Sequence, residues 1–400
     1  MKNKYLLFLS LIILSIPTFA QWTSVNSGTF DRLWVVDFAS ETNAVIGSSD
    51  ANGTFLISKD QGDTWINYNT ESSYRFYDID MLNADIGFGC GFAVFMTTED
   101  GGENWAFTEL AGTTFIQSLN FINKDTGWIV GFQGLIKRTD NGGESWETQN
   151  TGVPHDVWEI EAVNENVVFA VGRNTVTEKG MFFKTANGGL NWETEEIPDM
   201  LMSAACVDDQ KWYAGGENGK LFYTDDAGEN WTSQIIKPAT DVMEVKFVDQ
   251  NNGFLMCYDD DDPYSPNSYI YKTTDAGQTW ELSHQTNSQK LYSIAFTSPN
   301  AGLACGADGK IWRYNVSTNM EEIQNQDILI YPNPSTGIIN INQRGLEKIL
   351  SYEILNIAGN TIHQSEFLSP NSQFKINKKG VYLLKIQTEN QTLTETIIIQ

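Results

Sequence analysis

Basic residues are scarce in this 400-residue sequence: 25 Lys and Arg stand against 51 Asp and Glu, a formal net charge of −26. Nucleic acids and anionic lipid surfaces are held by clustered Lys and Arg, so the balance argues against both as partners. Cysteine is sparse as well. Cys90, Cys206, Cys257 and Cys305 lie far apart with no C-x-x-C pair, so neither a zinc motif nor a disulfide framework is legible. Histidine is limited to His155, His284 and His363, and no Ser-His-Asp or metal-binding cluster forms around them. No cofactor and no metal are expected. Long hydrophobic runs are missing too: beyond residue 20 nothing approaches the eighteen apolar residues of a membrane-spanning helix.

The first twenty residues differ from the rest. Lys2 and Lys4 precede an apolar run from Tyr5 to Ile16, followed by Pro17 and the small residue Ala20, the pattern of a secretory signal peptide. Its removal leaves 23 basic and 51 acidic side chains, a net charge of −28. The whole chain has 12 Trp, 15 Tyr and 22 Phe, so it reads as an exported, well-packed β-rich protein rather than a disordered acidic chain.

A polar knot recurs six times: SKDQGDTW ending at Trp65, TEDGGENW at Trp105, TDNGGESW at Trp146, TANGGLNW at Trp192, TDDAGENW at Trp231 and TTDAGQTW at Trp280. The tryptophans are 40, 41, 46, 39 and 49 residues apart, the period of a propeller blade. Each unit contains an alternating strand such as SLNFI, then GWIVG, then GLIKRT, the knot, and a strand that begins at the Trp. Four short strands make one antiparallel blade. The seventh unit, residues 292–315, has three strands and no knot. WTSVNSGT, starting at Trp22, matches WETQNTGV after the third knot, so the N-terminal strand is predicted to complete blade seven and hide its edge.

In the knot, Thr and Asp can bond nearby backbone N–H groups, a Gly such as Gly228 supplies positive φ, and the Trp can pack between blades. The third knot positions are Asp60, Asp100, Asn141, Asn187, Asp226 and Asp275. Asn suits a hydrogen-bonding turn and not general-acid chemistry, so all six are read as structural. The knot resembles the Asp-box, or bacterial neuraminidase repeat, and the whole unit DTGWIVGFQGLIKRTDNGGESWE is similar to the propellers of photosystem II assembly and stability factors. The resemblance covers residues 22 to 314 and implies the fold more than the function, because Asp-boxes occur in sialidases, xyloglucanases, sortilin-type receptors and non-catalytic propellers alike.

A sialidase needs an arginine cluster, a Tyr-Glu pair and an acid Asp. The propeller holds only Arg32, Arg75, Arg138, Arg173 and Arg313, and the Phe-Arg-Ile-Pro signature is absent. Xyloglucanase relatives work between two propellers, and one is present. No catalytic residue can be named. Propeller topology places the knots at one end of the blades and the strand four-to-one and two-three loops at the other. That second end carries Arg32 and Trp34, Arg75 and Tyr77, His155 and Trp158, and Lys290 and Tyr292, aromatics beside charged groups that suit a sugar ring or a peptide, or packing between blades. The long loops GRNTVTEKGM and YDDDDPYSPNSY extend the same end. The run Asp259 to Asp262 lacks the spaced ligands and glycine of an EF-hand and reads as a solvated loop rather than a calcium site.

After Tyr314 the stretch NVSTNMEEIQNQD reads as a linker over 315–326, and residues 327–400 as a small β-sandwich of short β-branched strands. Tyr331-Pro332-Asn333-Pro334 with Gly337, Asn356 with Gly359, and Gly380-Val381-Tyr382 resemble the type A C-terminal sorting domain of type IX secretion in Bacteroidetes. The resemblance implies the type IX machinery as partner and a secreted or surface-attached product. Family members often carry a basic residue in the last strand, where this chain has Glu395.

The expectation is an all-β chain: signal peptide 1–20, seven-bladed β-propeller 21–314, linker, and sorting sandwich. It is expected to be a non-catalytic binder of an extracellular glycan or protein. The alternatives are an extracellular glycoside hydrolase and, from the photosystem-factor resemblance alone, an envelope complex assembly factor.

Overall fold

The computed structural model describes residues 21–316 except 51–52, 70–73, 113–114 and 260–266, and residues 328–399 except 332–334, 336, 344–348, 357–359, 366–370 and 389–391. The stretch expected to be a signal peptide, most of the acidic run and the linker, and the Pro332-Asn333-Pro334 and Gly359 turns of the tail lie outside the described residues. Chain contacts divide into one unit ending at Val316 and another beginning at Ser317.

Seven four-stranded antiparallel sheets form the first unit. Their inner strands are Leu33–Phe38, Asp78–Met81, Ile116–Phe121, Asp156–Ala162, Leu201–Cys206, Asp241–Phe247 and Leu291–Ser298. Six blades run consecutively from inside to outside. The seventh has three strands of its own, and Gln21–Asn26 pairs with Lys310–Asn315 as its outer edge, with Trp22 opposite Tyr314. The N-terminal strand therefore closes the ring, as the WTSVNSGT match predicts.

Second strands carry the core. Ala44–Ser48, Gly87–Gly91, Gly127–Gly131 and Trp212–Gly216 are buried along their whole lengths, because each lies mid-sheet and is covered by a neighbouring blade on both faces. Trp128 is fully buried there, packed against Val157 and Phe183 of blade four, so its role is packing. Cys90, Cys257 and Cys305 sit in second strands and are free thiols. The buried Cys90 and Cys305 Sγ atoms lie 3.6 and 3.5 Å from the Ile116 and Leu33 carbonyls of the next blade.

The tail unit is a three-stranded sheet of Ile328–Tyr331, Ile338–Gln343 and Asn371–Lys375, and a four-stranded sheet of Thr361–Ser365, Ile349–Asn356, Gly380–Thr388 and Thr392–Ile399. One core spans both, with Ile339, Ile341 and Phe374 from the first sheet and Ile354, Tyr382 and Ile397 from the second. The β-branched alternation supplies that inward face.

Candidate functional site

All six knots are built alike. In blade two the Thr98 hydroxyl donates to Asp100 Oδ1 at 2.9 Å and accepts from Gly102 N–H at 2.9 Å, while Asp100 accepts from the Asn104 backbone at 2.9 Å and its side chain at 2.7 Å. Asn141 accepts from the Ser145 N–H at 3.0 Å and donates to its hydroxyl at 2.9 Å. The amide thus replaces the carboxylate without changing the turn. The fourth knot position is left-handed in every copy, including Gln61, Ala227 and Ala276. Its N–H binds a carbonyl of the strand one-two hairpin, as from Gly101 to Asp85 and from Ala227 to Gln210, so the knots share an end with those hairpins. Bonds from Asn230 and Thr224 hold Asp226 down at about 2, and bonds from Thr279 and Thr273 do the same for Asp275. Such carboxylates are anionic turn formers.

The opposite end is organised by a repeated irregularity. Inner-strand register skips one residue at Trp34, Gln117, Trp158, Met202, Met243 and Tyr292, and Tyr77 holds the same place before Asp78. Such β-bulges re-aim a side chain at a sheet's end. Glycine accommodates them: a Cβ on Gly131 or Gly172 would fall 1.9 or 2.0 Å from the Phe115 or Asp156 carbonyl oxygen. Four of the sequence-nominated residues, Trp34, Tyr77, Trp158 and Tyr292, thus occupy one level of the ring. Trp34 and Tyr292 stack at 4.8 Å, and the Arg173 guanidinium lies 5.4 Å from the Trp158 ring.

Of the nominated charges, Arg32 and Arg75 are exposed on neighbouring blades and form no ion pair among the described residues. Lys290 lies over Tyr258 at 3.5 Å. In blade four the sequence alignment is off by one. Asp156, not His155, precedes the inner-strand Val157 as Arg32 precedes Leu33: the entry has the same length in both blades, eleven positions from Trp146 to Val157 and from Trp22 to Leu33, and carries an acid where blade one carries a base. Asp156 is buried, accepts from the Gln133 N–H and pairs with Arg173 at 3.0 Å, and Arg173 also reaches Glu178 at 3.0 Å. His155 lies 3.5 Å from Thr175 in the long two-three loop.

Three aromatics escaped the sequence reading. Phe115 lies 6.2 Å from Tyr77, 4.9 Å from Phe92 and 5.0 Å from Phe132, ring to ring. Phe92 is 52% exposed, so blades two and three present an aromatic patch beside Arg75 at this end. Each Phe comes from a different loop, which is why no local motif announces it.

Also missed was the channel lining. One ring contains Val35, Asp78, Ser118, Glu159, Ser203, Glu244 and Ser293; the next contains Asp37, Asp80, Asn120, Glu161, Ala205, Lys246 and Ala295. A cavity of about 190 Å³ is lined by residues of both rings. Inner strands are sheet edges whose free N–H groups need acceptors. Asp78 accepts from Leu119 N–H at 3.0 Å and Glu244 from Ile294 at 2.7 Å, while Asp37 accepts from Met81 at 2.7 Å, Asp80 from Phe121 at 2.6 Å and Asn120 from Ala162 at 2.9 Å. Side chains of blades one, two, three and six thus satisfy the next blade's edge. Small residues in blade five let Lys246 reach past them to Glu159 at 3.4 Å and Glu161 at 3.8 Å.

Burial raises the channel carboxyls: Asp37 to about 6, Glu244 to about 7 and Glu159 to about 8, with Asp80 also well above its ordinary value. The side chains of Glu159, Glu161, Glu244 and Lys246 keep 17, 22, 12 and 37% of their surface accessible, so the lining touches water. The described residues contain no His, Cys, Asp and Glu group arranged to hold a metal.

Residues 66–199 match the family model of the photosynthesis system II assembly factor YCF48, and residues 329–400 that of the secretion system C-terminal sorting domain. This is a propeller of YCF48 type with a type IX sorting tail. A structure of YCF48 bound to D1 peptide is 19% identical with a TM-score of 0.58, covering 74% of this chain and 96% of that one. YCF48 from Cyanidioschyzon merolae is 18% identical with a TM-score of 0.59, covering 74% and 99%. A xyloglucanase from Xanthomonas campestris is 14% identical with a TM-score of 0.55, and the match spans 92% of this chain and 59% of that enzyme. No curated protein matches. At these identities the solved structures establish the fold alone. The sorting tail implies secretion or surface attachment and an interaction with the secretion machinery, and no helix among the described residues is long and apolar enough to cross a membrane.

Proposed function

We propose that this protein is a non-catalytic binding propeller, exported behind an N-terminal signal peptide, whose ligand is a polypeptide segment held on the face opposite the Asp-boxes. The observation that carries the reading is the condition of the rim aromatics. Trp34 is stacked on Tyr292, Trp158 is covered by Arg173 and Tyr77 packs beside Phe115, so each is half-buried with one face taken. Flat platforms for sugar rings are in short supply, whereas the Phe92, Phe115 and Phe132 patch beside Arg75 offers apolar and charged contacts to a peptide. One YCF48 neighbour is bound to D1 peptide, which supports a polypeptide as the class of ligand.

The channel supports binding over hydrolysis. Asp37, Asp78, Asp80 and Glu244 accept backbone bonds from adjacent blades, and about 190 Å³ is below the roughly 300 Å³ at which ligand pockets begin. Pull-down from envelope and culture fractions and glycan arrays, run in parallel, test the proposal. Arg75→Ala combined with Trp158→Ala should abolish capture of a protein ligand while the melting temperature stays within a few degrees. Capture indifferent to both changes rules out this face, and turnover of a polysaccharide by the purified protein rules out the class.

A further inference from the structure

Six carboxyl groups and one ammonium line a channel with space for water and little else. Lys246 has Glu159, Glu161 and Glu244 within 4.0 Å, and Asp78 and Asp37 also act on it or its partners. Asp80 faces Asp37, Asp78 and Glu161 with no cation of its own. Blades three, five and seven offset none of this, because they contribute Ser118 and Asn120, Ser203 and Ala205, and Ser293 and Ala295. The neighbouring thiols of Cys90, Cys206 and Cys305 are pushed up by burial and remain uncharged. One ammonium neutralises one carboxylate, and like charges this close cannot all ionise without cost.

We propose that the channel is a proton-held clasp: the closed ring retains protons among the Asp37, Asp80, Glu159, Glu161 and Glu244 carboxyls, and alkaline pH strips them, charges the lining and loosens the contacts between inner strands. This goes beyond the binding reading and does not depend on it. The same side chains that would acquire charge also accept the N–H bonds joining blade one to two, two to three and six to seven, so repulsion acts where the ring is held together. The raised values agree in sign. These carboxyls bind protons more tightly folded than unfolded, so stability is full below the ordinary carboxyl range and is lost as pH climbs through about 6 to about 8. Lys246, itself raised, retains its charge throughout that window.

The test is thermal unfolding of the full chain from about pH 5 to about pH 8.5, compared with Glu159→Gln plus Glu244→Gln. The wild type should lose several degrees across the range, and the double variant should lose at most half as much. If the double variant does not fold, Lys246→Met serves instead, because removing the cation makes the fall steeper. The infrared band of protonated carboxyl groups should persist at pH 7 in the wild type and shrink in Glu159→Gln. A wild-type melting temperature flat over this range overturns the clasp, as does a fall of equal slope in every variant.

Discussion

Trp22 donates its indole N–H to Ser283 Oγ at 3.0 Å, joining the first strand of the propeller to the outer strand of blade six, 261 residues later. The same ring stacks on His284 at 5.3 Å and tilts against Tyr314 at 5.0 Å. Burial holds His284 down at about 4, so the stack stays uncharged near neutrality. Trp22→Ala should cost about 3–5 kcal/mol in denaturant unfolding, the range for removing a buried aromatic ring. Deleting residues 21–26 should go further. It exposes the edge of Lys310–Asn315, and light scattering should then show self-association.

Two knots carry a correctable strain. Ala227 and Ala276 have φ of 55° and 57°, where three sister knots have glycine. Alanine is disfavoured in that left-handed region, so Ala227→Gly and Ala276→Gly should each raise stability by roughly 0.5–1 kcal/mol, read as a shifted denaturation midpoint at constant slope.

At the acid end the knots should dominate. Asp226 and Asp275 are held at about 2, below their ordinary value, so the stability they contribute is present above about pH 4 and disappears as pH falls toward 2. Asp226→Asn with Asp275→Asn should flatten the loss of melting temperature below pH 4 and leave the fold unchanged, since Asn141 already makes this turn. An unaltered acid limb would remove the knots from the explanation.

Phe92 separates binding from stability. It is half-exposed and contacts Phe115 edge to face, so Phe92→Ser should lower ligand capture severalfold while melting moves by no more than a degree or two. Loss of the fold instead would mean that the patch is core.

The repeat was legible because each knot spells the same hydrogen bonds in adjacent residues, and the ring closure because WTSVNSGT copies an outer strand. The channel was not, although its signal is present in YDIDM, WEIEA and MEVKF, where charges alternate with apolar residues. Alternation of that kind reads as a strand with one wet face. Only when seven such strands converge does the wet face become an interior, and convergence is a property of the ring rather than of any one strand. The blade-four offset arose similarly: His155 stands where a charged residue was sought, but the bulge that fixes register counts from Val157.

The strand that closes blade seven also settles where the propeller's two ends emerge. Gln21 lies directly across from Asn315, so the chain enters and leaves the ring through adjacent positions on one outer edge. Gln21–Asn26 runs from there toward the loop that leads to Leu33, so both of these positions lie at the knot end of blade seven, away from the loops that carry Arg75 and Phe92.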